Sequence, residues 1–490
     1  MGWRVTARKL LSSQAALAAT TVLASFLGIA LNLCLPFLLH AEEYARYSLL
    51  LGFAQVTASL LFEWLRIGVI RYSQTSDPAA DQDRRSVMAA AYLAVSGALG
   101  VLAVAFALLS TLNAGFSPVA LVAAIAALQG IFDGQQAASR ASFLNFAVSS
   151  RTILRAVLGL VGAVAGGLLF GTGEATLIGF ALAYPLSSFF SARRQLTEWS
   201  ATPPKFAALL PLVRFGVLAA TGTNLSIAIP AALRSVIVGS VGLGEAGGLL
   251  LIVDLAQRTF STIGTSINVV TVQNAIRAHI SDRPERLHDA LRPHLVLLAA
   301  SGFPFVLCYL TLAPQILGGS FLPESYRGGF GTSGLLLMLA IFVMTVRQYS
   351  IDSLFVVFGR SLLAPVGAVT TLALLIAAAP AVTLLHPSTA ITMTALLAAS
   401  VVGTAAAIFC LVATAKVPWP FRDLWLTLAA ALLVTLPAWL FAATIGPFHA
   451  LLLSAGLGLV YLALLAVGDV AGSRAVLASV ARWVPRRSRG

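Results

Sequence analysis

Apolar residues run along this chain in long stretches, broken by short charge clusters, Gly/Pro pairs and polar runs. About 20 predominantly apolar residues cross a bilayer as a helix, because in lipid the backbone must satisfy its own hydrogen bonds. Reading the breaks as loops predicts fourteen such helices. They fall near 11–38, 47–70, 87–111, 118–139, 151–171, 175–192, 211–239, 246–276, 293–317, 332–357, 362–385, 389–415, 423–444 and 447–467. The first follows Arg4, Arg8 and Lys9 and is too long for a signal-peptide core, so it is expected to stay in the membrane.

Composition agrees with this pattern. Of 490 residues, 59% are apolar and 10% are Asp, Glu, Lys or Arg, against roughly 25% charged in soluble proteins. That excludes several water-facing domains, disorder and collagen. The net charge of +13 first suggests nucleic acid, but the basic residues are spread through short connecting segments instead of clustering on one domain. No nucleic-acid partner is therefore expected. With a cytoplasmic N-terminus, 25 of the 31 Lys and Arg fall in inside segments, two (Arg46, Arg327) outside and four within spans. This is the positive-inside bias, and it predicts that both termini are cytoplasmic. Cys34, Cys308 and Cys410 lie in apolar stretches and imply no disulfide framework. The six histidines stand singly, with no metal-ligand spacing, so neither metal nor cofactor is expected.

An ungapped offset of 202 aligns 18–55 with 220–257, pairing Glu43 with Glu245 and Gln55 with Gln257. Such a repeat predicts an all-α polytopic membrane bundle of about 14 transmembrane helices, with two parallel six-helix lobes plus two C-terminal helices. The boundaries would be 1–192, a cytoplasmic linker at 193–210 containing Trp199, Pro203 and Pro204, 211–416, 417–467, and a basic tail at 468–490. In the tail, Val476, Leu477, Val480, Trp483 and Val484 share one helical face flanked by arginines, as in a helix lying at the interface.

Ionisable residues inside spans are costly and mark partners or cavities. Here they are Glu63, Arg66, Asp133, Arg234, Asp254, Arg258, Arg347 and Asp352. Glu63/Arg66 and Asp254/Arg258 have the i,i+3 and i,i+4 spacings of helix-face pairs. Arg258 and Arg347 lie roughly 18 Å and 22 Å into their spans at 1.5 Å per residue, too deep to reach the outer surface easily. A central arginine suits phosphate or pyrophosphate, which its planar fork binds bidentately. Arg234 and Arg66, nearer the two surfaces, are secondary candidates for that role. Asp254, Glu63, Asp133 and Asp352 are candidates either for proton or sodium coupling or for structural pairing. Gln55, Gln257 and Gln129 are candidates for sugar hydroxyls or for helix–helix hydrogen bonds. Glycines 159, 162, 166 and 167 read as a close helix contact.

The stretch HAEEYARYSLLLGFAQ (His40–Gln55), followed by LLFEWLRIGVIRY ending at Tyr72, resembles the start of bacterial polysaccharide or O-antigen flippases. These belong to the multidrug/oligosaccharidyl-lipid/polysaccharide exporter superfamily. Where that family often carries glycine before the acidic pair and after the first tyrosine, this chain has His40 or Ala41 and Ala45. The resemblance implies a two-lobed bundle in the bacterial inner membrane with a central cationic cavity. It also implies alternating-access export of an undecaprenyl-pyrophosphate-linked oligosaccharide, with polysaccharide polymerase or export machinery as partners. Two alternatives share these features: a drug/cation antiporter or lipid II flippase of the same superfamily, and a membrane glycosyltransferase, polymerase or ligase of the same pathway. The short outer loops count against the enzymes.

Overall fold

The computed structural model describes residues 14–72, 78–113, 117–141, 144–192, 209–280, 284–319, 321–385, 388–442, 444–472 and 474. Arg4, Arg8 and Lys9, the linker residues Trp199, Pro203 and Pro204, and the proposed interfacial helix from Val476 to Val484 lie outside the described residues. Among the described residues there are helices and turns but no strands. The helices are α1 (Gln14–Cys34), α2 (Ala41–Tyr72), α3 (Pro78–Leu109), α4 (Ser117–Ala141), α5 (Asn145–Phe170), α6 (Gly173–Ala181) and α7 (Ala183–Ala192). Then come α8 (Leu209–Ile280), α9 (Pro284–Leu317), the short α10 (Glu324–Arg327), α11 (Thr332–Val346) and α12 (Asp352–Val357). The series ends with α13 (Val366–Leu385), α14 (Thr389–Thr414), α15 (Phe421–Ala442) and α16 (Pro447–Val467).

Twelve segments among the described residues are long and apolar enough to cross a membrane, and the protein is a multi-pass helical membrane bundle. Two differences from the fourteen expected spans have simple causes. The span near 175–192 is divided into α6 and α7 by a turn at Leu182, which keeps right-handed helical dihedrals. The spans near 211–239 and 246–276 form the 72-residue α8, within which Gly242 is non-helical at φ 75°, ψ 167°. Arg234 and Asp254 are 20 positions apart across that glycine, yet their side chains bond at 2.7 Å. A straight helix would hold them about 30 Å apart. The chain therefore reverses at Gly242, where an L side chain would be strained, and α8 is a helical hairpin.

The chain divides into two compact units, Met1–Arg258 with Leu372–Pro387, and Thr259–Thr371 with Ser388–Gly490. In the first, α4 packs on α2 and α3, and α5 packs on α1 and α6. Its core holds Phe62, Leu65, Tyr92, Leu99 and Ala126, with the Phe62 and Tyr92 rings stacked at 5.6 Å. The beginning of α6 is fixed twice. The Thr172 hydroxyl oxygen accepts from the Ala175 N–H at 3.3 Å, and the Glu43 carboxylate accepts from the Gly173 N–H at 2.7 Å. Both supply acceptors to a helix start that has orphan donors and a positive dipole end.

In the second unit, α14 packs on α11, while α15 and α16 pack on α9. Leu295, Phe355, Leu411, Ala431 and Tyr461 lie in its core. Arg292 of α9 pairs with Asp423 at the start of α15 and donates to the Asp469 carbonyl at 2.6 Å. Asp423 also accepts from the Ala471 N–H at 2.9 Å, so one carboxylate ties three segments together.

The α5 glycines act as packing residues. A Cβ on Gly162 would collide with the Gly179 carbonyl of α6, and a Cβ on Gly179 with the Gly162 carbonyl. Gly166 meets the Ala175 carbonyl in the same way. Backbones this close exchange dispersion contacts that lipid tails cannot match. Gly162→Val should wedge α5 from α6 and destabilise the fold by about 1–3 kcal/mol. Thermal unfolding of the detergent-solubilised protein measures this, and an unchanged midpoint would show that the crossing contributes nothing.

Candidate functional site

Membrane helices ordinarily turn apolar faces outward, so a polar stripe at helical spacing points to something other than lipid. In the first unit two such stripes occur. On α2 they are Gln55, Ser59, Glu63 and Arg66, and on α4 they are Gln129, Asp133, Gln136 and Arg140. Steps of three and four residues keep each stripe on one helix face. The two faces line a cavity of about 470 Å³ lying wholly within this unit. Thr21 of α1, Thr152 and Arg155 of α5, Tyr184 of α7 and Gln257 and Arg258 of α8 complete its polar lining. Four arginines thus face two carboxylates.

Glu63 and Arg66 form a two-pronged pair, with Nε donating to Oε2 at 2.7 Å and Nη2 donating to Oε1. The Gln129 amide donates to Asp133 at 3.5 Å and accepts from the Tyr184 hydroxyl at 3.4 Å. Gln136 donates to Thr152 Oγ1 at 3.1 Å, linking α4 to α5. The Arg155 guanidinium carbon lies 5.6 Å from the ring centroids of both Phe132 and Tyr184. Two aromatic faces stabilise a cation there while leaving the edges of its planar fork as donors. Arg258 donates from Nη2 to the Ala24 carbonyl of α1 at 3.4 Å. Its guanidinium occupies the space that a Cβ on Gly28 would need.

The sequence-derived candidates therefore divide into three sets. Arg258, Arg66, Glu63, Asp133, Gln55, Gln129 and Gln257 line the cavity. Arg234 and Asp254 form a buried network beside it, with side chains 7% and 9% exposed. Besides Asp254, Arg234 donates to Gln257 Oε1 at 3.0 Å and to the Ser48 hydroxyl at 3.2 Å. The second Asp254 oxygen accepts from the Tyr44 hydroxyl at 2.9 Å. Helical spacing puts Asp254 and Arg258 on one face, and Asp254 bonds Arg234 across the Gly242 reversal. Gln257 belongs to both groups and joins the ion pair to the cavity wall.

Arg347 and Asp352 lie in the second unit and take no part in this cavity. Arg347 is 1% exposed and donates to the Gly367 carbonyl at 2.9 Å and to Thr371 Oγ1 at 2.8 Å. Its Nε stands 3.4 Å from Asp352 Oδ2. It begins a π-helical turn, Arg347–Ile351, and the widened ladder is braced by His294, whose Nε2 lies 3.1 Å from the Ser350 carbonyl. Arg347 thus holds α13 through two hydrogen bonds, while its Nε and Asp352 Oδ1 are buried without a hydrogen-bond partner among the described residues.

Two arginines that the charge pattern places in an inside segment lie instead within a helix. The fifth span is expected to start at 151, but α5 starts at Asn145, so Arg151 and Arg155 sit two to three turns inside it. Arg151 is fully buried and holds α5 to α4 through the Gln135 carbonyl at 3.0 Å and the Ser139 hydroxyl at 2.9 Å. Arg155 faces the cavity. The signal that would have found Gln136 and Arg140 is the unbroken polar stripe of α4.

The chain is similar in fold to solved transporters, among them members of the multidrug/oligosaccharidyl-lipid/polysaccharide (MOP) superfamily. The lipid II flippase MurJ, in an inward closed conformation, superposes with a TM-score of 0.66 at 13% identity, over 95% of this chain and 100% of that one. A MOP transporter from Pyrococcus furiosus gives 0.51 at 16% identity, over 84% and 98%. An inward-facing multidrug resistance MATE transporter gives 0.50 at 16% identity, over 81% and 95%. No family model and no curated protein matches the sequence.

Two substitutions test this geometry. Asp254→Asn leaves Arg234 buried without its counter-charge and should cost about 3–5 kcal/mol, whereas the double change with Arg234→Gln should recover much of that loss. Equal unfolding midpoints for single and double variants would remove the pair from the stabilising contacts. Gly28→Ala should push the Arg258 side chain from its notch while costing the helix little. Gly28→Ala should therefore lower the unfolding midpoint with Arg258 present and not beside Arg258→Ala, and equal shifts in both backgrounds would refute the notch.

Proposed function

We propose that this protein is a flippase for a polyprenyl-pyrophosphate-linked oligosaccharide, carrying it across the bacterial inner membrane by alternating access for cell-surface polysaccharide assembly. The observation that carries the reading is the arginine-rich cavity of the first unit. Arg155 and Arg258 offer planar forks for a pyrophosphate, with Arg140 beside them and Arg66 occupied by Glu63. Four glutamines, at 55, 129, 136 and 257, offer paired donors and acceptors for sugar hydroxyls. The motif resemblance of His40–Gln55 and the transporter fold support the same reading. The lobes proposed at 1–192 and 211–416, with 417–467 added, and the cytoplasmic placement of both termini belong to it as well.

Transport is favoured over glycosyl transfer because the polar groups converge on a binding cavity, with neighbours of transporter fold. A second reading, lipid II as the cargo, is favoured by the superposition over the whole length of MurJ. Reconstitution tests both. Proteoliposomes should exchange a labelled polyprenyl-pyrophosphate oligosaccharide between leaflets faster than protein-free vesicles. Arg258→Ala and Arg155→Ala should each slow that exchange by on the order of tenfold, the worth of one charge-assisted contact, with membrane insertion intact. Exchange by folded protein no faster than in empty vesicles would sink the proposal.

A further inference from the structure

Gln136 stands on the polar stripe of α4, lines the cavity and is 7% exposed. Its amide has one allowed orientation. Nε2 donates to Thr152 Oγ1 at 3.1 Å and to the Val148 carbonyl at 3.4 Å. A carbonyl only accepts, and the Thr152 hydroxyl already gives its proton to that same carbonyl at 2.8 Å. The end of the amide that meets α5 is therefore the NH2 group, and the end left over is the oxygen. Among the described residues that Oε1 has no hydrogen-bond partner, although it is buried. A buried acceptor without a donor is costly and calls for a partner. Three residues earlier on the same face, Asp133 offers a carboxylate, which as an ion only accepts. Gln129 already bonds at both ends of its amide. Between Gln129 and Gln136 the α4 face thus presents acceptors, whereas the guanidinium groups of Arg155 and Arg258 in the same lining are donors by their chemistry.

We propose that Asp133 and Gln136 form a sugar subsite that reads O–H and N–H donors, and that Gln136 is its specificity-determining residue. The inference rests on the pyrophosphate reading above and adds the direction in which the cargo lies. Ionised phosphate oxygens only accept, so they are drawn to the arginine forks and kept off the α4 acceptors. Sugar hydroxyls and an acetamido N–H donate, so the first sugar lies along α4. At about 470 Å³ the cavity is of a size to take the pyrophosphate and the sugar next to it. A proton given to Gln136 Oε1 satisfies the orphaned acceptor, and one given to Asp133 makes a charge-assisted bond. A sugar whose oxygens accept without donating leaves both groups unsatisfied. Sites built to bond a hydroxyl reject the analogue that lacks it for this reason.

The test uses the full-length protein in lipid nanodiscs and two synthetic short-chain polyprenyl pyrophosphates. One bears N-acetylglucosamine. The other bears the same sugar with every hydroxyl O-methylated, which keeps its acceptors and loses its O–H donors. Binding is read by native mass spectrometry, with thermal unfolding as the check on folding. The wild-type protein should prefer the free sugar by on the order of tenfold. Gln136→Leu should shrink that ratio by weakening binding of the free-sugar lipid. Because Gln136 also ties α4 to α5, Asp133→Asn supplies a second, nearly isosteric variant, and it too should shrink the ratio. A preference due to bulk alone would survive both changes. Equal wild-type affinities, or a ratio undiminished in the folded variants, would overturn the donor-reading proposal and leave the pyrophosphate reading standing. If folded wild-type protein bound neither lipid, both would fall together.

Discussion

An arginine inside a membrane helix must be matched, and that requirement organises much of the interior of this protein. Arg151, Arg234 and Arg347 are matched by the protein itself. Their donors end on backbone carbonyls, hydroxyls and carboxylates of neighbouring helices. Each therefore ties neighbouring helices together. Arg155 and Arg258 are seated differently, one between two aromatic rings and the other in a notch opposite Gly28. Both seats orient a guanidinium at a cavity wall.

The same requirement accounts for the stretch that carries the family resemblance. Its residues serve the scaffold more than the cavity. Glu43 caps α6, Tyr44 holds Asp254, and Ser48 receives Arg234; of this stretch, Gln55 reaches the cavity lining. Glu245, the proposed repeat partner of Glu43, is exposed. Gln55 and Gln257 do share a role, since both line the one cavity. A motif can therefore be recognisable because it closes long-range hydrogen bonds, while the cavity lining sits on stripes with no fixed spelling.

Much of the fold was legible because its cause is local. A run of about 20 apolar residues is helical wherever it meets lipid, and the breaks between runs are short and charged. The glycines of α5 were legible as a close contact for a similar reason, since small residues at helical spacing define a flat face. The start of α5 was hidden because Arg151 and Arg155 look like loop charges, and only their partners on α4, α7 and the cavity wall explain their depth.

The sequence alone determined the helical bundle, the positions of its spans and the short set of residues costly enough to need explanation. Tertiary structure decided what each of those residues does. Helical spacing states which side chains are able to meet, as with Glu63 and Arg66, which do pair. It is blind to partners such as Tyr44 and Asp254, 210 positions apart, or Arg234 and Ser48, 186 apart. Buried charges take the partner that best neutralises them in space, and that choice exists only once the helices have packed.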